Sequence, residues 1–198
     1  CMRECYSDDF FCCSFYRQNE ESFLEGMRAG LEYFGGSPKK VIFDNAKIAV
    51  KEGFGVHAKA THRYLAMAAH YAFTPVFCNI ASGHEKGLVE GLVGFARRNA
   101  LVPVPRVKNI DVLNTVLLNA SFKYRSHTVP GKSISVGESV PIYQSQLIPL
   151  PPFRFDTTKT LQMKVNDFAL VRFDFNKYSV PYIYSGKTVT VKGYGNKV

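Results

Sequence analysis

The sequence lacks the features that define several common classes of protein. It contains no run of about 18 apolar residues, so we expect no transmembrane helix. Its first residues, CMRECYSDDFF, show no basic start followed by an apolar stretch, so we expect no secretory signal. Position 1 is Cys rather than Met, and we expect the chain to open inside a folded unit.

The cysteines do not indicate a disulfide framework or a zinc site. There are five, an odd number, and two of them, Cys12 and Cys13, lie in the apolar run FFCCSFY. Their spacing fits no zinc-binding pattern. Buried free thiols in a reducing compartment are the better interpretation.

Acidic residues are scarce in the second half of the chain. Residues 101–198 hold 13 Lys and Arg against five Asp and Glu, a net charge of +8, whereas residues 1–100 hold 12 against 11. A basic half beside a nearly neutral half indicates a polyanionic partner, with nucleic acid first. A basic surface that serves only solubility is the alternative.

The first half of the chain has the pattern of an α/β fold. Apolar runs predict strands over 10–16, 41–43 and 74–78, and apolar residues at helical spacing predict helices over 20–34, 61–71 and 85–99. Gly35 and Gly36 are expected to end the first helix. Strands alternating with helices are typical of a layered α/β architecture.

The second half has a different pattern. A helix is predicted over 110–124, and the proline-containing segment 146–156 is expected to be an extended linker. Short strands follow at 170–175, 178–182 and 188–191, with turns expected at 176–177 and 185–186. Such a unit is too small for a β-sandwich and fits a minimal β-barrel.

Two carboxylates are candidates for chemistry. Asp44 follows a short apolar strand, where the sites of open α/β sheets gather, although an Asp-Asn turn or helix cap is the better explanation of this residue in isolation. Glu90 shares a polar helix line with Lys86, Gly94 and Arg97, which could be no more than a solvated face. Together the two carboxylates fit two-metal phosphoryl transfer, because hard cations need several oxygen ligands.

Several segments resemble one family in order along the chain. FGGSPKKVIFDNAKIAV (34–50), LAMAAHYAFTPVFC (65–78), GHEKGLVEG (83–91) and LIPLPPFRFD with NKYSVPYIYSGKTVTV are similar to IstA-type bacterial transposases. These belong to the DDE superfamily of transposases and integrases. The resemblance implies a ribonuclease H-like core over 1–105, truncated at its first strand, then a helix and proline-rich linker over 106–156 and a small β-barrel over 157–198.

The resemblance also implies roles for individual residues. Asp44 and Glu90 match the second and third catalytic acids and would bind Mg²⁺ or Mn²⁺, two ions in the complete protein; Glu85 is the alternative helix acid. Other polar residues would contact DNA, where basic side chains position the phosphates: Asn45, Lys86, Arg97, Arg98, Lys177, Lys187 and Lys192. Several tyrosines among the last three lysines suit stacking on bases, although core packing explains many of them.

The sequence departs from the family at the first catalytic Asp. That residue would precede the hairpin of residues 1–16, and Asp8 and Asp9 fit a turn between two strands better than a metal site. We therefore expect weak or no catalysis from this chain alone. A second departure is Gly91, where a larger, often basic residue is usual in the superfamily.

The resemblance finally implies the reaction and the partners. The reaction is metal-dependent strand transfer during DNA integration, in a bacterial cytoplasm. Implied partners are DNA at the element ends and the target, further copies of the chain on that DNA, and an AAA+ ATPase helper, with no membrane. Two alternatives are a catalytically incomplete fragment that binds DNA or another subunit, and a ribonuclease H-type nuclease.

Overall fold

The computed structural model describes the backbone of residues 1–43, 50–52, 59–77 and 83–198, and the side chains of 1–43, 60–77, 91 and 93–198. The helices in chain order are α1 (Glu20–Phe34), α2 (His62–His70), α3 (Gly83–Ala100), α4 (Ile110–Tyr124) and α5 (Val136–Gln144). The strands are β1 (Met2–Arg3), β2 (Phe10–Phe11), β3 (Lys40–Phe43), β4 (Val50–Glu52), β5 (Lys59–Ala60), β6 (Thr74–Phe77), β7 (Lys159–Lys164), β8 (Leu170–Phe173), β9 (Asn176–Ser179) and β10 (Thr188–Gly193).

Helix α1 has the bounds that its sequence predicts. The Asn19 side chain accepts a hydrogen bond from the Ser22 N–H at 2.9 Å and caps the first turn. At the other end Gly35 has a φ of 81°, a left-handed conformation that glycine adopts without steric cost. Between these caps Leu24 and Leu31 are fully buried. Capping and one apolar face therefore account for this helix.

One hydrophobic core lies between α1 and α2. It consists of Leu24, Met27, Leu31, Tyr64, Met67, Ala68, Tyr71 and Phe73. Strands β3 and β6 pair in parallel beside it, from Lys40 opposite Thr74 to Phe43 opposite Phe77. Val41, Phe43 and Phe77 pack against the core from this sheet. The parallel pair is connected through α2, as the predicted α/β pattern requires.

A second hydrophobic cluster joins the N-terminal hairpin to the later helices. Phe10 on β2 packs with Ala96 of α3 and Leu117 of α4. The predicted strand over 10–16 is shorter than expected, since only Phe10 and Phe11 pair, with Met2 and Arg3. Helix α4 has its predicted bounds, and its buried Leu117 packs against this cluster.

Helix α5 lies in the region predicted to be only a helix and a linker. Ser135 and Glu138 form a capping box: the Ser135 hydroxyl accepts from the Glu138 N–H, and the Glu138 carboxylate accepts from the Ser135 N–H. Pro141 sits within this nine-residue helix. Pro141 is the sixth residue of the helix and has no N–H to donate to the Gly137 carbonyl, so α5 forms with one backbone hydrogen bond fewer.

The proline-rich segment after α5 is extended but not free. Ser37 and Ile148 exchange two backbone hydrogen bonds of 2.8 Å. Leu150 and Phe155 then pack against the α1–α2 core. The Arg63 guanidinium donates to the Thr158 carbonyl at 3.0 Å. The segment is therefore a packed strap along the core.

The C-terminal strands form two antiparallel ribbons, β7 with β10 and β8 with β9. They share a small core of Val165, Val171, Phe173 and Val191. Across the described parts of the chain each sheet has two strands, and none closes into a barrel. The ribonuclease H-like core therefore remains a prediction, and the barrel is not formed by the described pairing.

The turn expected at 176–177 lies two residues earlier. Phe173 pairs with Asn176, and the loop residues Asp174 and Phe175 have φ values of 42° and 68°. A two-residue loop with positive φ at both positions matches the twist of a β-hairpin. Sequence favours Asn in such a loop, but pairing of Val171 and Phe173 into the small core fixes the register instead.

No helix in the part of the chain that the structure describes has the length and apolar character needed to cross a membrane.

Candidate functional site

The two predicted catalytic acids fall at the edge of the described structure. Asp44 and Asn45 lie outside the described residues. Asp44 follows Phe43, the last residue of β3, and the parallel partner strand β6 ends at Phe77. The chain thus leaves both strands at one edge of the parallel pair, which is where sites of parallel sheets occur.

Helix α3 carries the other predicted acid. Glu90, with Glu85 and Lys86, belongs to its backbone, and the side chains of all three lie outside the described residues. The eighth residue of this helix is Glu90, about 10 Å along the axis from its start at 1.5 Å per residue. The sequence predicts the helix two residues shorter at its N-terminus and one shorter at its C-terminus.

The end of α3 presents basic side chains to solvent. Arg97 and Arg98 are exposed, while Ala96 between them and α4 is buried. Phe95 packs edge-on against Tyr124 of α4, with ring centroids 5.1 Å apart. Among the described atoms, none lies within 4 Å of a Cβ added at Gly91. A larger side chain, as is usual in the superfamily, would meet none of them at its Cβ.

Asp9 is the centre of a buried polar network rather than a spare ligand. Its side chain is fully buried. One carboxylate oxygen accepts from the Tyr33 hydroxyl at 2.9 Å, and the other accepts from the Tyr143 hydroxyl at 2.9 Å and from Arg125 Nε and Nη2 at 3.1 and 2.9 Å. Burial raises the pKa of both tyrosines, and the Asp9 charge raises it further.

Asp8 is also committed to local contacts. It forms ion pairs with Lys132 at 2.8 Å and with Arg3 at 3.7 Å. Its φ of 65° places it in the turn between β1 and β2. The prediction of a turn at Asp8 and Asp9 fits this geometry. The Asp9 network could not be found from sequence, because its partners lie 24, 116 and 134 residues away.

The cations predicted on the C-terminal unit differ in their availability. Lys177 and Lys187 are exposed. Lys192 instead donates to Asp156 at 3.3 Å. The pKa of Asp156 is lowered first by a hydrogen bond from the Thr158 hydroxyl and further by Lys192. Lys192 is therefore the weakest of the three as a free phosphate contact.

Sequence reasoning missed one further cation beside Lys177. Arg172 lies directly opposite it in the β8–β9 ribbon, and both side chains are exposed. Like charges at opposed positions destabilise a ribbon. A polyanion lying across this face would relieve that repulsion. The alternation of the β8 sequence could have placed Arg172 outward, but its partner depended on the turn position.

Within the described side chains, no group of three or more His, Cys, Asp and Glu residues is arranged to hold a metal ion. The residues predicted to bind metal, Asp44 and Glu90, are outside that set.

Comparison with known proteins identifies a family of domains to which the C-terminal quarter of the chain is similar. Residues 150–198 match the family described as Mu transposase, C-terminal domain. That range contains the end of the packed strap and both C-terminal ribbons.

Individual relatives extend the similarity over the whole chain. A transposase of Aminobacter aminovorans is 33% identical over 196 residues, which is 98% of this chain and 38% of that protein. The transposase for insertion sequences IS1326/IS1353 of Pseudomonas aeruginosa is 32% identical over 197 residues, again 98% of this chain and 38% of the relative. The transposase for insertion sequence element IS21 of Pseudomonas aeruginosa is 26% identical over 181 residues, 89% of this chain and 45% of the relative.

The chain is therefore similar along nearly its whole length to insertion-sequence transposases, and it spans less than half the length of these three relatives. The resemblance stated from the sequence is confirmed at this level.

Proposed function

We propose that the chain is part of an IstA-type insertion-sequence transposase of the DDE superfamily and takes part in DNA strand transfer. The observation that carries the proposal is the similarity to named insertion-sequence transposases over 98% of the chain. The order of the elements supports it: Asp44 follows β3 in the chain, and Glu90 belongs to α3, the next helix after β6.

The proposed reaction is two successive displacements at phosphorus, a hydrolysis and then a transesterification. Water first attacks the phosphodiester at the element end; the P–O bond to the 3′ oxygen breaks, and a 3′ hydroxyl is released. That hydroxyl then attacks a phosphodiester of the target, loses its proton and displaces another 3′ oxygen. Each step forms one P–O bond and breaks one, so no oxidant or energy source is consumed.

Asp44 and Glu90 are the residues that would hold Mg²⁺ or Mn²⁺, because carboxylate oxygens are the ligands these hard cations prefer. When bound, such ions stabilise the charge that develops on the attacking and leaving oxygens. The first catalytic Asp of the family has no counterpart among the described acids near the hairpin, since Asp8 and Asp9 are held in ion pairs and the Glu4 carboxylate accepts from the Tyr6 and Ser7 N–H groups.

The DNA itself would be held by cations on two surfaces. Arg97 and Arg98 are exposed at the end of α3, and Arg172, Lys177 and Lys187 are exposed on the C-terminal ribbons. Phosphate contacts of this kind fix position without reading sequence, and their strength falls steeply with salt. The resemblance adds Asn45 and Lys86 to the proposed DNA contacts.

The remaining parts of the proposal concern architecture and assembly. They are a ribonuclease H-like core over 1–105, a barrel-type C-terminal domain over 157–198, assembly of several copies on DNA, and an AAA+ ATPase partner. The C-terminal family match over 150–198 supports the position of the second boundary.

Strand transfer with a labelled element end tests the proposal. The chain is assayed as given and with the corresponding N-terminal region of a relative joined before Cys1. We expect activity in the longer protein that Asp44→Asn and Glu90→Gln each abolish. Glu85→Gln tests the alternative helix acid, and Asp111→Asn, at an exposed position of α4, is the matched control. Activity that survives Asp44→Asn would contradict the catalytic assignment.

A second candidate function is DNA binding without catalysis. It is favoured by the ion pairs of Asp8 and Asp9, which leave neither carboxylate free to take the place of the family's first catalytic Asp. It predicts duplex binding that is unaffected by Asp44→Asn, and no strand transfer even in the longer protein. Robust cleavage of an RNA–DNA hybrid would instead favour the ribonuclease H-type nuclease.

A further inference from the structure

A groove lies where the C-terminal residues pack against the start of α1. Its volume is about 350 Å³, within the range of about 300–1,000 Å³ that is usual for small-ligand sites. The rings of Tyr16, Tyr178 and Tyr194 line it, together with the cations Arg17 and Lys197. None of these residues belongs to the predicted catalytic centre.

The two walls of the groove are fixed to one another by backbone contacts. The Gly195 N–H donates to the Glu25 carboxylate at 3.1 Å, and the Tyr16 N–H donates to the Asn196 side chain at 3.4 Å. A Cβ added at Gly195 would lie 2.9 Å from the Phe15 ring and 3.1 Å from Ser22 Cα. A side chain at position 195 would therefore force the Phe15 ring or the start of α1 to move.

The charge of the groove favours an anion. Its one acidic side chain, Asp174, is neutralised by Lys159 at 2.7 Å. Arg17 is exposed, and Lys197 lies over the Tyr194 ring with its Nζ 4.9 Å from the centroid. Neither cation forms an ion pair with another described residue.

The aromatic rings favour a flat partner. Tyr16 is 66% exposed, although burial of so large a ring would stabilise the fold. Phe175, which follows the groove residue Asp174, is 93% exposed and has a φ of 68°. Nucleobases present such flat faces only where they are unstacked, since a duplex hides them.

We propose that this groove binds one unpaired nucleotide of the DNA substrate, with its base on the tyrosine rings and its phosphate on Arg17 or Lys197. The inference rests on the proposed function in DNA strand transfer and specifies that one part of the DNA ligand is single-stranded. The proposed reaction cuts one strand at the element end, and a nucleotide beside such a break leaves the stack at a lower cost than one inside an intact duplex, so the substrate provides the ligand.

Binding of a labelled single strand of about ten nucleotides, compared with a duplex of the same length, tests the inference. Tyr16→Leu removes an exposed ring and Arg17→Gln removes an exposed cation, so the fold is expected to persist; circular dichroism and thermal unfolding verify this. The matched controls are Tyr6→Leu, at a ring that is 54% exposed, and Arg106→Gln, at an exposed arginine.

We expect Tyr16→Leu to weaken single-strand binding about fivefold or more and duplex binding by less than about twofold. A fluorescent adenine analogue in the strand should be quenched on binding to the unmodified chain and not to Tyr16→Leu. Equal weakening for strand and duplex would overturn the inference, as would single-strand binding unchanged by both groove variants. Absence of any DNA binding by the unmodified chain would overturn the proposed function as well, so the two failures are distinguishable.

Discussion

Replacing Asp9 with Asn tests whether the buried network organises the helical half of the molecule. The carboxylate accepts hydrogen bonds from Tyr33 on α1, from Arg125 at the end of α4 and from Tyr143 on α5. Asn keeps the shape of Asp but removes the charge and replaces one acceptor by a donor. At least one of the incoming donors would then face an N–H group.

The cost can be estimated from the burial of the pair. Removing one partner of a buried ion pair costs about 3–5 kcal/mol, because the other charge is left without compensation. The Arg125 side chain retains 21% exposure, and its guanidinium also lies 4.5 Å from the Tyr33 ring centroid. Both features soften the loss, so we expect the lower end, about 3 kcal/mol.

Urea unfolding followed by circular dichroism measures the effect. With a slope of about 2 kcal/mol per molar urea, the loss lowers the midpoint by about 1.5 M. Asp167→Asn, at an exposed position of the C-terminal unit, makes the same chemical change and should stay within about 0.5 kcal/mol. A loss below about 1 kcal/mol for Asp9→Asn would refute the argument that the buried charge is essential to the fold.

Three further outcomes are expected. Ala72 is exposed with a φ of 58°, so Ala72→Gly should raise the free energy of unfolding by about 1 kcal/mol in a urea titration; a decrease would contradict the strain. The raised pKa values of Tyr33 and Tyr143 favour the neutral phenols in the fold, whereas the unfolded chain ionises near pH 10. The contribution of these two groups to stability should therefore be constant below about pH 10 and be lost as the pH rises above it, and Tyr33→Phe should make that loss smaller; an unaltered loss would argue against this origin. Finally, changing Lys177 and Lys187 to Gln should make the plot of log K against log salt for duplex binding shallower by about two, and an unchanged slope would exclude them as phosphate contacts.

The sequence predicts helices better than it predicts contacts between distant segments. Helix α1 follows from Asn19, one apolar face and Gly35, all of which are local. Helix α5 is not apparent because Pro141 and its shortness hide the pattern, and its capping box is the only local signal. The position of the turn at Asp174 is determined by the packing of Val171 and Phe173 in the small C-terminal core, which the sequence pattern alone does not predict.

In the candidate site, too, local features are predicted from the sequence and contacts between distant residues are not. Asp44 and Glu90 are predicted through the resemblance, and their roles stay predictions. The exposure of Lys177 follows from the polar turn that the sequence predicts at 176–177. Its opposition to Arg172 does not, because that depends on where the turn falls. The tyrosine groove brings together residues from both ends of the chain, so no local pattern could reveal it.

The packed strap changes how the C-terminal ribbons meet a ligand. A free tether would let them sample many orientations, and binding would have to immobilise them. Here the His70 ring contacts the Phe153 carbonyl at 2.9 Å, and the Tyr71 hydroxyl accepts from the Phe155 N–H at 3.3 Å. Orientation is thus settled during folding, before any ligand arrives. A longer segment would leave the ribbons free to change their orientation. A ligand that contacts both halves of the chain would then bind more weakly, although every contact residue is still present.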